Sequence, residues 1–164
     1  MDNADWEQRL ALAWASIDDL GEEEFRAAID GLVAESPEND PVGAFEQASA
    51  FDSTGHPGLA VERYRWALQQ GLSGQRRRRA VIQLASSLRN LGEAEQSVAL
   101  LTAELDSGAD DGSDDLDDAV RAFLALALTS VGREREAVSV ALTALAPHLT
   151  RYNRSLAAYA SQLG

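Results

Sequence analysis

The segment from Arg76 to Leu105 constrains the fold more than any other part of the sequence. In its first half, apolar residues recur every three or four positions, which is the spacing of one face of an α-helix: Val81, Leu84, Ala85, Leu88 and Leu91. Gly92 can adopt the left-handed backbone that ends a helix, and a second apolar stripe follows it: Val98, Leu101 and Leu105. The segment is therefore predicted to form two antiparallel helices that bury their apolar faces.

A second stripe on the first of these helices is polar throughout. Its members are spaced four, three and four residues apart: Arg79, Gln83, Ser86 and Asn90. Arg89 lies beside this stripe. A polar face at helical spacing faces either water or a ligand.

The corner at Gly92 belongs to a pattern that occurs three times. Each copy has six positions, occupied by small residues, bulky residues and a glycine. Consecutive positions are separated by three, four, five, four and three residues in all three copies. The copies are Ala48, Phe51, Gly55, Ala60, Tyr64 and Ala67; Ala85, Leu88, Gly92, Ser97, Leu101 and Glu104; and Ala125, Leu128, Gly132, Ala137, Ala141 and Ala144. Small residues allow two helices to approach closely, bulky residues fill the space between hairpins, and glycine makes the turn.

This order of residues resembles the tetratricopeptide repeat family, whose unit is a helix–turn–helix of about 34 residues. The resemblance covers residues 41–146, and Ser97, Glu104 and Ala141 depart from it. It implies an all-α fold, a right-handed superhelical array of antiparallel helix hairpins, or α-solenoid. We expect one domain: an N-terminal hairpin at residues 1–35, repeats at 41–71, 75–106 and 115–146, and a capping helix at 148–163. The capping helix is predicted from a last stripe: Leu149, Tyr152, Leu156, Tyr159 and Leu163.

In tetratricopeptide proteins, the first helix of each hairpin lines a concave groove that holds a peptide or a partner's helix. Carried over to this sequence, the groove shows Phe45, Ser49, Asp52 and Ser53, then the polar stripe of the second repeat with Arg89, then Ala122, Leu126 and Thr129. Guanidinium and amide groups match carboxylates and peptide carbonyls. The candidate ligand-binding residues are Asp52, Arg79, Gln83, Ser86, Arg89 and Asn90.

Composition narrows the classes of function. The 164 residues include no cysteine, which excludes thiol chemistry and sulfur-ligated metals. There is no apolar run of membrane-spanning length and no secretion signal at the N-terminus, so we expect a cytoplasmic protein. No catalytic residues, cofactor or metal site can be assigned. His56 and His148 are isolated in the sequence, and the acidic segment 107–118 does not match the ligand spacing of an EF-hand.

The net charge of −13 disfavours nucleic acid and anionic membranes as partners. Residues 1–52 carry 14 acidic residues and two arginines, whereas residues 53–105 carry four acidic residues and seven arginines. The run from Arg76 to Arg79 circles its helix, and we expect a solvated helix end paired with the acidic segment.

The leading hypothesis is a non-catalytic module that binds a peptide or protein segment. The alternatives are a self-associating scaffold, in which the acidic N-terminal hairpin of one copy contacts the basic centre of another, and a small-molecule or peptide-sensing regulator.

Overall fold

The computed structural model describes residues 3–108 and 112–164, so part of the predicted acidic loop, 109–111, lies outside the described residues. Within the described ranges the protein is all-α, as predicted. The α-helices are α1 (Asn3–Ala15), α2 (Glu22–Val33), α3 (Pro41–Ser53), α4 (Pro57–Gln69), α5 (Gly74–Asn90), α6 (Ala94–Ser107), α7 (Asp117–Ser130), α8 (Glu134–Leu145) and α9 (Asn153–Ala160). Two short 3-10 helices, Asp114–Leu116 and Ala146–His148, precede α7 and follow α8.

Contacts divide the chain into two compact units, Met1–Leu72 and Ser73–Gly164. That these units form one domain stays a prediction. We call them unit 1 and unit 2 and describe each by itself.

Unit 1 consists of α1 to α4. Its first hairpin and α3 share a cluster of buried residues: Trp6, Leu10, Phe25, Ile29 and Ala50. The indole of Trp14 donates a hydrogen bond to the buried carboxylate of Glu46 at 2.9 Å, which connects α1 to α3. Helix α3 begins at Pro41, as expected for a first-turn proline, and Asp40 caps it by accepting hydrogen bonds from the backbone N–H groups of Val42 and Gly43.

Unit 2 consists of α5 to α9. Its core joins α5, α6, α7 and α8 through the buried residues Ile82, Ala85, Val98, Leu101, Val120, Leu124, Ala127, Leu128 and Ala137. Two predictions about burial are wrong here. Leu91 is 44% exposed because it lies just beyond the last turn of α5. Tyr152 and Tyr159 are exposed, so within α9 the buried residue is Ala160.

The three predicted hairpin corners have the same structure. Gly55, Gly92 and Gly132 all have a left-handed backbone, with φ of 77°, 87° and 74°. In each corner the N–H one residue after the glycine donates to the carbonyl five residues earlier at 2.9 Å, a Schellman motif that satisfies the helix C-terminus. These glycines were identified from spacing alone, and the repeated motif explains why glycine occurs at all three positions.

Candidate functional site

The predicted polar stripe lies along α5 in unit 2. Arg79 and Asn90 are exposed, whereas Gln83, Ser86 and Arg89 are half-buried. Burial of the opposite face of α5, including Val81, Leu84, Ala85 and Leu88, sets this orientation. Side chains spaced three or four residues apart on the outer face of α5 are therefore accessible to a ligand.

At the C-terminal end of the stripe, two of the predicted residues are in contact. Arg89 Nη2 donates a hydrogen bond to Asn90 Oδ1 at 3.2 Å. Arg89 Nε is buried and has no hydrogen-bond partner among the described residues. A buried N–H group without an acceptor is costly, so this donor favours an arriving carboxylate or carbonyl oxygen.

Helix α7 packs directly against α5. In the repeat pattern, Leu126 and Thr129 of α7 correspond to Ser86 and Arg89 of α5. Leu126 is 49% exposed. Two contacting helices thus carry a polar stripe with a guanidinium and an exposed leucine, a combination that suits a segment with both polar and apolar groups.

The remaining predicted groove residues are arranged differently. Asp52 is half-buried on α3 of unit 1, and Asp52, Arg79 and Gln83 take part in further interactions within the protein. Phe45 and Ser49 are buried rather than open to a groove. The Phe45 ring packs 6.1 Å from that of Tyr64, whose hydroxyl donates to Ser49 Oγ at 3.2 Å. For these two positions the groove assignment is wrong.

The arginine run is mainly an internal feature of unit 2. Arg77 forms a two-bond ion pair with Glu104 at 2.8 Å for each bond. Arg78 is 1% exposed, with Nη1 donating to the Ser113 carbonyl at 3.2 Å and Nη2 to Asp117 Oδ1 at 2.5 Å. The expectation of a solvated helix end is therefore wrong for Arg78, although its partners do include the acidic segment.

Sequence reasoning missed this buried cluster, yet two signals pointed to it. Arg78 lies three residues before Val81 and seven before Ala85, which is the phase of the buried stripe. Glu104 occupies a position where the repeat pattern has alanine. The residue is buried, with 4% of its surface exposed. A carboxylate at such a position requires a cation, and the arginine run supplies it.

A separate concave pocket lies in unit 1 and was also not predicted. It has a volume of about 520 Å³ and is lined by the end of α2, the loop to α3, and Gln47, Arg63 and Trp66. Arg63 Nη1 donates to Gln47 Oε1 at 2.6 Å, and Gln47 Nε2 donates to Asp30 at 2.7 Å. This pocket includes none of the predicted ligand-binding residues.

Repeated helix hairpins with identical glycine corners define the class of the protein: an all-α helical-repeat protein. A family model described as tetratrico peptide repeat matches residues 41–163. The chain therefore belongs to the tetratricopeptide repeat family, as its sequence pattern predicted. The comparison with curated proteins gave no match, and neither did the comparison with solved structures.

Members of this family generally mediate protein–protein interaction and are generally non-catalytic. Two further findings bear on partners and ligands. Among the described helices, none combines the length and apolar character needed to cross a bilayer. The described histidine, aspartate and glutamate side chains form no group suited to hold a metal ion.

Proposed function

We propose that the face formed by α5 and α7 in unit 2 binds a peptide or protein segment that carries a carboxylate next to an apolar side chain. The observation that carries the proposal is the buried Nε of Arg89, which has no hydrogen-bond partner among the described residues, and the exposed Leu126 on the contacting helix α7 supports it. Arg79 adds a second cation on the same helix face. In this proposal the chain acts by binding and catalyses no reaction.

The chemistry of the ligand follows from the donors on α5. A guanidinium offers several N–H groups in a fixed plane, which fit the two oxygens of a carboxylate. Asn90 can supply a further amide N–H once its Oδ1 is held by Arg89. The apolar neighbour of the carboxylate would then lie against Leu126. The predicted cytoplasmic location stays a prediction and is not needed for this proposal.

Selection from a random peptide library tests the proposal without knowledge of the natural partner. Peptides selected on the wild-type protein are titrated by calorimetry into the triple variant Arg79→Gln, Arg89→Gln, Asn90→Ala. We expect enrichment of acidic peptides and a loss of affinity of about tenfold or more in the triple variant.

The matched control removes the same charge elsewhere in unit 2 through Arg133→Gln and Arg135→Gln, both exposed positions. It should keep wild-type affinity, and circular dichroism should show that both variants remain helical. Equal affinity of the triple variant and the control would disprove the groove assignment, since charge alone would then explain binding.

A further inference from the structure

The C-terminal part of the chain differs in charge from the remainder. Residues 137–164 contain no aspartate or glutamate and two arginines, Arg151 and Arg154, in a protein whose net charge is −13. Both arginines are exposed. Residues 137–164 therefore present an acidic partner with two cations and no carboxylate side chain.

This same region exposes large apolar side chains. Among the described residues, four of the eight exposed large hydrophobic side chains lie here: Val138, Leu145, Tyr152 and Tyr159, which are 47%, 47%, 78% and 64% exposed. Val138 and Leu145 are seven residues apart on α8, whereas Tyr152 directly precedes α9 and Tyr159 lies near its end. We call these four residues the C-terminal face.

The backbone at Tyr152 supports a functional interpretation of this exposure. Tyr152 has a φ of 67°, a left-handed conformation that a bulky residue rarely adopts. Its carbonyl accepts hydrogen bonds from the Leu156 N–H at 2.9 Å and from Ser155 Oγ at 3.0 Å, which hold this turn in place. The strained turn thus fixes an aromatic ring in solvent, where it gains nothing from the core of its own chain.

A complementary surface exists at the other end of the sequence. Residues 1–52 carry 14 acidic residues and two arginines, and α1 exposes Leu12 to 64% of its surface. The exposed Asp18 and Asp19 follow α1 directly. Of the two arginines, Arg9 is paired with Glu35 and Asp5, and Arg26 donates to Thr54. The outer side of α1 therefore combines an apolar residue with strong negative charge.

We propose that the C-terminal face of one copy binds the outer face of α1 in a second copy. Leu12 would pack between the exposed tyrosine and aliphatic side chains, with Arg151 and Arg154 facing the acidic residues around α1. The internal pairing of Arg77 and Arg78 argues against the basic centre as the contact, because their charges are already compensated. Two different surfaces meet in this interface, so association is head to tail and can extend from copy to copy.

Association between copies does not depend on peptide binding by α5 and α7. Two variants, each designed to block one of the two surfaces, test it. Leu12→Arg removes the apolar contact on α1 and places a cation opposite Arg151 and Arg154. Tyr159→Glu introduces a carboxylate opposite the acidic hairpin. Sedimentation velocity over a range of concentrations should show growing assemblies for the wild-type protein and a shift to monomers for each variant, with dissociation constants raised about tenfold or more.

Mixing the two variants separates head-to-tail association from a symmetric dimer. The Leu12→Arg chain keeps an intact C-terminal face and the Tyr159→Glu chain keeps an intact α1, so an equimolar mixture should form a one-to-one dimer that does not grow further. Leu59→Arg and Leu91→Glu, at exposed positions outside both surfaces, serve as controls and should associate like the wild type.

The proposal is overturned if the wild-type protein stays monomeric at every concentration, which would leave the C-terminal face to a different acidic partner. It is also overturned if either variant associates like the wild type, or if the mixture of the two variants stays monomeric.

Discussion

Arg78 and Glu104 form a buried ion pair inside unit 2, with Arg78 Nε 3.6 Å from Glu104 Oε1 and both side chains at most 4% exposed. Asp117 completes the cluster on the other side of Arg78, and Arg121 lies 3.5 Å from Asp117. This cluster connects α5, α6 and α7. It includes Glu104, which replaces the alanine of the repeat pattern in the second repeat. Removal of the Glu104 carboxylate leaves buried Arg78 with Asp117 as its remaining carboxylate partner and takes from Arg77 its two-bond ion pair, which is costly.

The first prediction is that Glu104→Ala destabilises the protein although it restores the residue that the repeat pattern favours. Buried Arg78 would lose one of its two carboxylate partners and Arg77 would lose its two-bond partner, and we expect a loss of about 3 kcal/mol in the free energy of unfolding. The double variant Glu104→Ala, Arg78→Met should recover most of this loss, because it removes both charges. Urea unfolding of the two variants measures the difference.

Glu136→Ala is the matched control for this prediction. It removes an exposed carboxylate that pairs with Arg133 at 2.7 Å, and exposed ion pairs contribute only about 0.5 kcal/mol. If Glu104→Ala lowered the free energy of unfolding no more than Glu136→Ala does, the buried cluster would contribute no more to stability than an exposed ion pair.

The second prediction concerns the corner at Gly55. A Cβ atom there would meet no other atom within 4 Å, but the φ of +77° is unfavourable for a side chain. Gly55→Ala should therefore destabilise the protein by about 1 kcal/mol. Gly31→Ala provides the contrast, because this glycine lies inside α2 with open space around it, and it should stabilise by about 0.5–1 kcal/mol. Thermal unfolding should give shifts of opposite sign, and shifts of the same sign would contradict the assigned conformations.

The helices and corners of this protein were predictable because they depend on local information. Apolar spacing identifies the buried face of each helix, and a glycine five residues before the next small position marks each corner. The burial of Phe45 and Ser49 was not predictable in this way. Their environment depends on the position of Tyr64 in the next helix, which spacing within α3 does not contain.

The candidate site shows the same limit. Helical spacing turns the predicted side chains of α5 away from its buried stripe, which explains why they are exposed or half-buried. These residues are Arg79, Gln83, Ser86, Arg89 and Asn90. Whether a particular guanidinium has spare donors depends on side-chain contacts. Arg78 Nε and Arg89 Nε are both buried without a hydrogen-bond partner among the described residues, but Arg78 also forms ion pairs with Glu104 and Asp117. Ligand binding by this face stays a prediction.

The third prediction is a pH dependence of stability in unit 1. Hydrogen bonds from the Arg9 guanidinium hold the pKa of the Glu35 carboxyl below its ordinary value, with Arg9 Nη1 2.7 Å from Oε1. A depressed pKa adds stability above the pKa of the unfolded chain, and this contribution is lost as the pH falls through the pKa of the folded protein. Arg9→Met should therefore unfold at a lower temperature than the wild type at neutral pH, and the two should converge in acid.

Arg135→Met is the control for this pH dependence, since Arg135 is exposed in unit 2. Its thermal midpoint should differ from that of the wild type by a similar amount at all pH values. A difference between Arg9→Met and the wild type that stays constant down to strongly acidic pH would show that Glu35 is not the titrating group.

The fourth prediction concerns Phe51, whose ring has two guanidinium groups of unit 1 near it. Arg63 Cζ is 5.3 Å and Arg26 Cζ 5.9 Å from the ring centroid, distances at which a cation is attracted to the face of an aromatic ring. Phe51→Leu keeps an apolar side chain but loses this attraction, and should cost about 1 kcal/mol. In a double-mutant cycle with Arg63→Gln, we expect a coupling of about 0.5 kcal/mol, because the loss of the ring makes the loss of the cation less costly. Strictly additive free energies of unfolding would show that the Arg63 guanidinium is not coupled to the ring.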